Sequence, residues 1–221
     1  MNTKSKIPLI GAGVFLFLFI VVALLTTGTQ GFLLDENVAY WADQQTNAVF
    51  LKLMEIASVL GSSEMILLIT VIIGIVFIVK GNWRHFFFFF VLSVGGVLVN
   101  LGLKMLVRRA RPGDEISYIE VFDFNFELQS YSFPSGHTMR ATILLLFLMY
   151  VAFYFGKRMY MQIIAYAIYA ILIVFVALSR VILEAHFFTD ILGAIIISFA
   201  WFLLCFYLFY KPKRASYSLF S

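Results

Sequence analysis

The sequence predicts an all-α integral membrane protein, a six-transmembrane-helix bundle with an additional helix in the outer interface. Three observations carry this fold class. The 221 residues are 62% hydrophobic and only 13% charged, against about 45–50% and about 25% in soluble domains. Apolar stretches near the roughly 20 residues that cross a hydrocarbon core recur along the chain. Charges of the two signs are segregated between the ends of those stretches. The spans are helical because lipid leaves unpaired backbone groups unsatisfied, and barrel strands would alternate in polarity.

Residues 7–27 form the first stretch. Lys4 and Lys6 precede it, as in a signal peptide, but no small-x-small cleavage pattern follows, so it reads as an uncleaved span. In the outer segment 28–61, Val49, Phe50, Leu51, Leu53 and Met54 mix with Lys52 and Glu55 in a helical pattern behind Tyr40 and Trp41. That is the pattern of an interfacial amphipathic helix with an aromatic anchor. The second span, 62–80, is the shortest apolar run and needs Gly61 to Glu64 to reach full length, with Glu64 at the positive end of the helix dipole. A third span covers 85–107. Residues 112–134 form an acidic, aromatic loop bounded by turn signals and suited to capping a site. Spans 136–155, 159–179 and 187–210 complete a single membrane domain. The lone cysteine, Cys205, cannot form an internal disulfide and reads as packing or lipid-facing surface.

Six spans leave both termini on one side. Lys4, Lys6, Lys80, Arg84, Lys157, Arg158, Lys211, Lys213 and Arg214 lie there without an acidic residue among them, so that side is expected to be cytoplasmic in the plasma membrane. All twelve acidic residues fall on the outer side or its interface.

Basic residues on the outer side then need a reason. They are Lys52, Lys104, Arg108, Arg109, Arg111, Arg140 and Arg180. Snorkelling to the interface is sufficient for Lys52 and serves equally for Arg108 and Arg109; the others suggest a convergent cationic site. In "KMLVRRARP", Lys104 and Arg111 are seven residues apart, which on one helix places them on one face about 10 Å apart. Pro112 ends the helix there or just before. In "PSGH", Ser135 is a natural N-cap, and the unpaired N–H groups after it, with the dipole, favour an anion. Gly136 permits close backbone approach, and His137 can offer a proton from the same turn. A capped membrane helix with an interfacial histidine is the plainer reading. In "SRVILEAHFFTD", His186 and Asp190 are four apart, so the carboxylate can hold one imidazole nitrogen and leave the other nucleophilic. A surface His–Asp pair would look the same. All three stretches end on the same side of the membrane, and two of the three histidines lie in them.

Together these stretches resemble the type 2 phosphatidic acid phosphatase superfamily, whose pattern is K-x6-R-P, P-S-G-H and S-R-x5-H-x3-D. The chain carries each without a break: Lys104…Arg111-Pro112, Pro134-Ser135-Gly136-His137 and Ser179-Arg180…His186…Asp190. The resemblance covers about residues 100–195. It implies that His186 attacks phosphorus, that Asp190 holds its ring, and that His137 protonates the leaving alcohol and later activates water. Lys104, Arg111, Ser135, Gly136 and Arg180 would hold the phosphoryl oxygens, with Arg108, Arg109 and Arg140 as possible substrate contacts. Glu184, two residues before the nucleophile, departs from the neutral residue expected there and could tune substrate preference through its charge. The expected activity is a metal-free and cofactor-free lipid phosphate phosphatase with its site on the outer face. Phosphatidylglycerophosphate is the first expected substrate and undecaprenyl pyrophosphate the second. Transfer of the phosphoryl group to another lipid has the same first half-reaction. A membrane lipid is the implied partner; nothing points to nucleic acid or an obligatory protein. A transporter is disfavoured because no span carries paired interruptions or midplane charges.

Overall fold

The computed structural model describes residues 5–26, 32–112, 119–121, 124–126 and 131–209. In chain order these hold α1 (Ile7–Thr26), α2 (Leu33–Asp43), α3 (Ala48–Leu60), α4 (Ser63–Val79), α5 (Trp83–Val107), β1 (Ile119–Val121), β2 (Phe124–Phe126), α6 (Gly136–Phe155), α7 (Met159–Ile182) and α8 (Phe188–Phe209). The protein is a multi-pass helical membrane protein. Helices α1, α5, α6, α7 and α8 are each long and apolar enough to cross a bilayer; α3 and α4, bent by 47° at their junction, make a sixth if taken as one broken span. Of the orienting basic residues, Lys4, Lys211, Lys213 and Arg214 lie outside the described residues.

Two local outcomes differ from the sequence reading. The outer segment before α4 is two helices rather than one, because "QQTN" separates two apolar runs and Asn47 caps the second by accepting from the Phe50 N–H at 3.0 Å. The expected loop at 112–134 contains a short antiparallel hairpin, Ile119 opposite Phe126; most of that loop lies outside the described residues.

Packing follows from which helix faces are small. In α5, a Cβ at Gly95 would come within 2.4 Å of the Trp201 ring, and one at Gly96 within 2.4 Å of Ile143 Cδ1. Their absence lets α6 and α8 close on α5, where the Trp201 indole N–H donates to the Leu92 carbonyl at 3.0 Å. Phe89 and Phe147 stack with ring centroids 4.2 Å apart in the same core. Cys205 is buried and belongs to this packing. Ile10, Phe17, Ile163 and Ile164 stay exposed, as lipid-facing residues should.

Helix ends gather at one end of the bundle. Helix α5 stops at Val107, because Arg108 takes a left-handed φ of 52° and turns the chain away. Lys104 and Arg111 therefore do not share a helical face, contrary to the spacing argument; Lys104 is in the last turn of α5, and Arg111 lies beyond the left-handed residue that ends it. Gly61, at the α3–α4 joint, lies against α7 and the start of α6: a Cβ there would meet Val176 Cγ1 at 2.7 Å and the His137 carbonyl at 3.3 Å. Helix α7 ends in a Schellman turn. The Glu184 N–H donates to the Val181 carbonyl at 2.9 Å and the Ala185 N–H to the Arg180 carbonyl at 3.1 Å, with Glu184 itself at φ 51°.

Glycine is the residue such a turn prefers. Relief of the left-handed strain, roughly 1–2 kcal/mol, is offset by about 0.4–1 kcal/mol of extra unfolded-chain freedom. Glu184→Gly should therefore raise the thermal midpoint in detergent slightly, whereas Glu184→Ala, which keeps Cβ, should not. Equal stabilisation by both would contradict the backbone reading.

Candidate active site

The break between α7 and α8 presents His186. Its backbone N–H donates to the Arg180 carbonyl at 3.1 Å, extending the turn that ends α7. The ring is buried. Its Nδ1 lies 3.3 Å from Asp190 Oδ2 and 3.2 Å from Ser132 Oγ. Since the Ser132 hydroxyl donates to that same Asp190 oxygen, Nδ1 carries the proton, and Nε2 is left with its lone pair. Burial pushes His186 down to about 4, the hydrogen bond and charge of Asp190 oppose this, and the charges of Lys104 and Arg111 add to the depression. The imidazole is thus neutral near pH 7, with a lone pair on Nε2.

Asp190 is held from several directions. Besides Ser132, it accepts from the Phe187 N–H at 2.9 Å and from Arg109 Nη1 at 2.7 Å. Its own carbonyl receives the Ser135 N–H at 3.1 Å, which ties the first turn of α8 to the start of α6.

The start of α6 is built by the stretch before it. Ser135 is the N-cap; its hydroxyl accepts from the Thr138 hydroxyl at 3.1 Å and from the Thr138 N–H at 3.5 Å, so its own hydrogen remains available. A cis Phe133–Pro134 bond precedes it, and Asn100 of α5 donates to the Pro134 carbonyl at 3.2 Å. A Cβ at Gly136 would come 3.1 Å from Arg140 Nη1 and 3.3 Å from Asn100 Oδ1, so a side chain there would crowd both. Arg140 Nη2 approaches His137 Nδ1 at 3.5 Å.

Around these groups stand the cations. Lys104 donates to the Tyr131 carbonyl and Arg180 to the Ser58 hydroxyl of α3. Arg140 Nε and Arg180 Nε are buried without a hydrogen-bond partner among the described residues. Burial pulls Arg111 below its ordinary value, with Asp190 opposing. Positive side chains around two histidines at a helix N-terminus form a site for an anion with two or more negative oxygens.

The structure brings together Lys104, Arg111, Ser135, Gly136, His137, Arg140, Arg180, His186 and Asp190. It does not bring Arg108 into the group: its Nε donates to the Met105 carbonyl of its own helix at 3.0 Å on the exposed surface, as snorkelling predicts. Arg109, expected as a possible substrate contact, is instead engaged by protein carboxylates. Its Nη2 donates to Asp35 at 2.6 Å and its Nη1 to Asp190, and its guanidinium carbon lies 4.2 Å from the Phe187 ring centre. Glu184 is exposed and borders, with Asp43, Tyr40, Pro112 and His186, a cavity of about 250 Å3. A second cavity, about 310 Å3 and mostly apolar, lies between α4, α5 and α6 and is lined by Leu67, Thr70, Val97 and Arg140 among others.

Sequence reasoning missed Asp35, Ser132, Thr189 and Ser58. Ser132 stands two residues before "PSGH" and had a signal in that proximity. Asp35 and Ser58 had none, because no spacing links α2 or α3 to residues 109, 180 and 190.

The PAP2 superfamily model matches residues 84–214. The chain is 30% identical over 182 residues to phosphatidylglycerophosphatase B of Bacillus subtilis, covering 80% of this chain and 83% of that one. It also resembles the crystal structure of a transmembrane PAP2-type phosphatidylglycerolphosphate phosphatase from Bacillus subtilis, with a TM-score of 0.73 and 25% identity over 88% of this chain and 93% of that one. A match over more than half the chain, across a range that includes all three motifs converging around His186, means that this protein belongs to the PAP2 superfamily.

Proposed function

We propose that the protein is a metal-independent lipid phosphate phosphatase that converts phosphatidylglycerophosphate to phosphatidylglycerol and phosphate at the outer face of the plasma membrane. One observation carries the reading: a neutral histidine, His186, is fixed through Nδ1 by Asp190 among cations whose donors suit a phosphoryl group. The named activity of the Bacillus subtilis relative supports the substrate. A mostly apolar cavity that has Arg140 in its lining supports a lipid, whose chains would lie between α4, α5 and α6 while the head group meets the cations.

In this mechanism His186 Nε2 attacks phosphorus, and the phosphorus–oxygen bond to the glycerol breaks in line. His137 gives its proton to the departing oxygen. Lys104, Arg111, Arg180, the Ser135 hydroxyl and the Gly136 N–H hold the equatorial oxygens as charge spreads over them. His137 then takes a proton from water, the resulting hydroxide attacks the phosphohistidine, and phosphate leaves as His186 is restored. The basic residues Lys80, Arg84, Lys157 and Arg158 support a cytoplasmic position for the opposite end of the bundle.

Phosphate release from phosphatidylglycerophosphate in detergent should resist EDTA, exceed release from undecaprenyl pyrophosphate, and fall by at least a thousandfold in His186→Ala, on the scale of removing an essential nucleophile. Loss of turnover with EDTA, or full activity in His186→Ala, would contradict it.

The low position of His186 also predicts a stability effect. The unfolded chain takes this proton near 6.5 and the folded chain only near 4, so its contribution is complete above pH 6.5 and is lost as pH falls towards 4. The thermal midpoint of wild type should thus fall more between pH 7 and pH 5 than that of His186→Ala. Equal slopes would place the titration elsewhere.

A further inference from the structure

Asp35 lies in the first turn of α2, outside the span matched by the family model. Yet this carboxylate is buried, with 2% of its surface exposed, and is fully engaged at the centre of the site's framework. Its Oδ1 accepts from the Thr189 N–H at 2.8 Å, and its Oδ2 from the Thr189 hydroxyl at 2.7 Å and from Arg109 Nη2 at 2.6 Å. Arg109 Nη1 in turn reaches both the Thr189 hydroxyl and Asp190 Oδ1 at 2.7 Å.

Two physical consequences follow. Thr189 is the second residue of α8, so its N–H is one of the donors a helix start leaves unpaired. Asp35 fills that role from another helix and fixes the turn that carries Asp190, with the dipole favouring its charge. The second consequence is electrostatic. A guanidinium held by Asp190 alone would neutralise the carboxylate that His186 needs. Asp35 shares Arg109, and Asp190 keeps more of its negative charge for the imidazole.

We infer that Asp35 is a positioning residue for the phosphoryl-transfer reaction, acting on His186 through Arg109, Thr189 and Asp190. The inference rests on the role proposed above for His186. It ties the reaction to α2, a helix that carries the exposed aromatic residues Tyr40 and Trp41.

Asp35→Asn keeps the shape and removes the charge. The charged and titratable groups acting on His186 are Asp190 of α8, Lys104 of α5, Arg111 beyond α5 and His137 of α6, with Glu184 on its own turn sharing its cavity. None is altered by the variant. With Arg109 left wholly to Asp190, His186 should become less basic. In purified full-length protein acting on phosphatidylglycerophosphate, kcat should fall about tenfold, the lower end of the range for removing a partner of a functional side chain. KM should change less than twofold, because the phosphate-binding cations are untouched. The acid limb of kcat/KM should move to lower pH. A smaller folded fraction would lower the height of that profile and leave its position alone, so an unmoved limb, or unchanged kcat, overturns the inference. Should Asp35→Asn not fold, Thr189→Val decides: it removes the hydroxyl that Asp35 and Arg109 share and leaves their direct contact in place, and a two- to threefold loss of kcat with a displaced acid limb supports the role, whereas unchanged kcat with an unmoved limb overturns the inference, whose path includes Thr189. Wild type and His186→Ala run beside these separate the two claims. Inactive wild type speaks against the proposed function, and an Asp35→Asn with wild-type kcat and an unmoved acid limb beside an inactive His186→Ala speaks against Asp35 alone.

Discussion

Arg109 sits between two buried carboxylates, Asp35 and Asp190, and the order of the site depends on that bridge. Breaking such a buried pair by removing one partner costs about 3–5 kcal/mol, because a charge is left without compensation. Here the three charges join elements far apart in the chain: α2, the segment after α5, and α8. Around them the Asp190 carbonyl receives the start of α6, and Asp190 itself holds His186. A cluster at one end of the bundle thereby fixes the relative positions of the helix ends that carry the three motifs. Packing along the bundle, through Trp201 against Gly95 and Gly96, sets the helix spacing but does not select a position for the histidines.

Compensation within this cluster contrasts with the region beside it. Arg109 has its carboxylates, whereas Arg140 and Arg180 each keep a buried nitrogen without a partner among the described residues. A structure selected for stability alone would pair those nitrogens, since buried donors left unmade cost about 1–3 kcal/mol each. Donors held in place before a phosphoryl group arrives need no reorganisation as its charge redistributes, which is where electrostatic catalysis gains most. On the proposed mechanism the two populations of arginine have different work: Arg109 would fix the nucleophile, and Arg140 and Arg180 would meet the anion.

Much of this was legible in the sequence, for reasons that differ by element. The apolar runs located α1 and α5 to α8 because lipid demands uninterrupted stretches, and "PSGH" announced the start of α6 through its cap. His186 and Asp190 were legible as a pair because four residues is about one helical turn, although His186 lies two residues before α8 begins. Lys104 and Arg111 were placed in the site, but for a wrong geometric reason: helical spacing fails once Arg108 adopts a left-handed conformation, which nothing in a non-glycine residue announces. Arg109 read as an interfacial or substrate-facing cation because its partner Asp35 is 74 residues away. Pairings across that distance are decided by tertiary packing, and periodicity carries no trace of them.

The central claim is that His186 Nε2 becomes covalently bonded to phosphorus during turnover. Rapid quenching of wild type with phosphatidylglycerophosphate labelled in its terminal phosphate, followed by proteolysis, tests this directly. The account predicts a label that survives alkali, is lost in acid, and resides on the peptide containing His186. A label on any other residue, or single-turnover phosphate release with no labelled protein at any time, would contradict it.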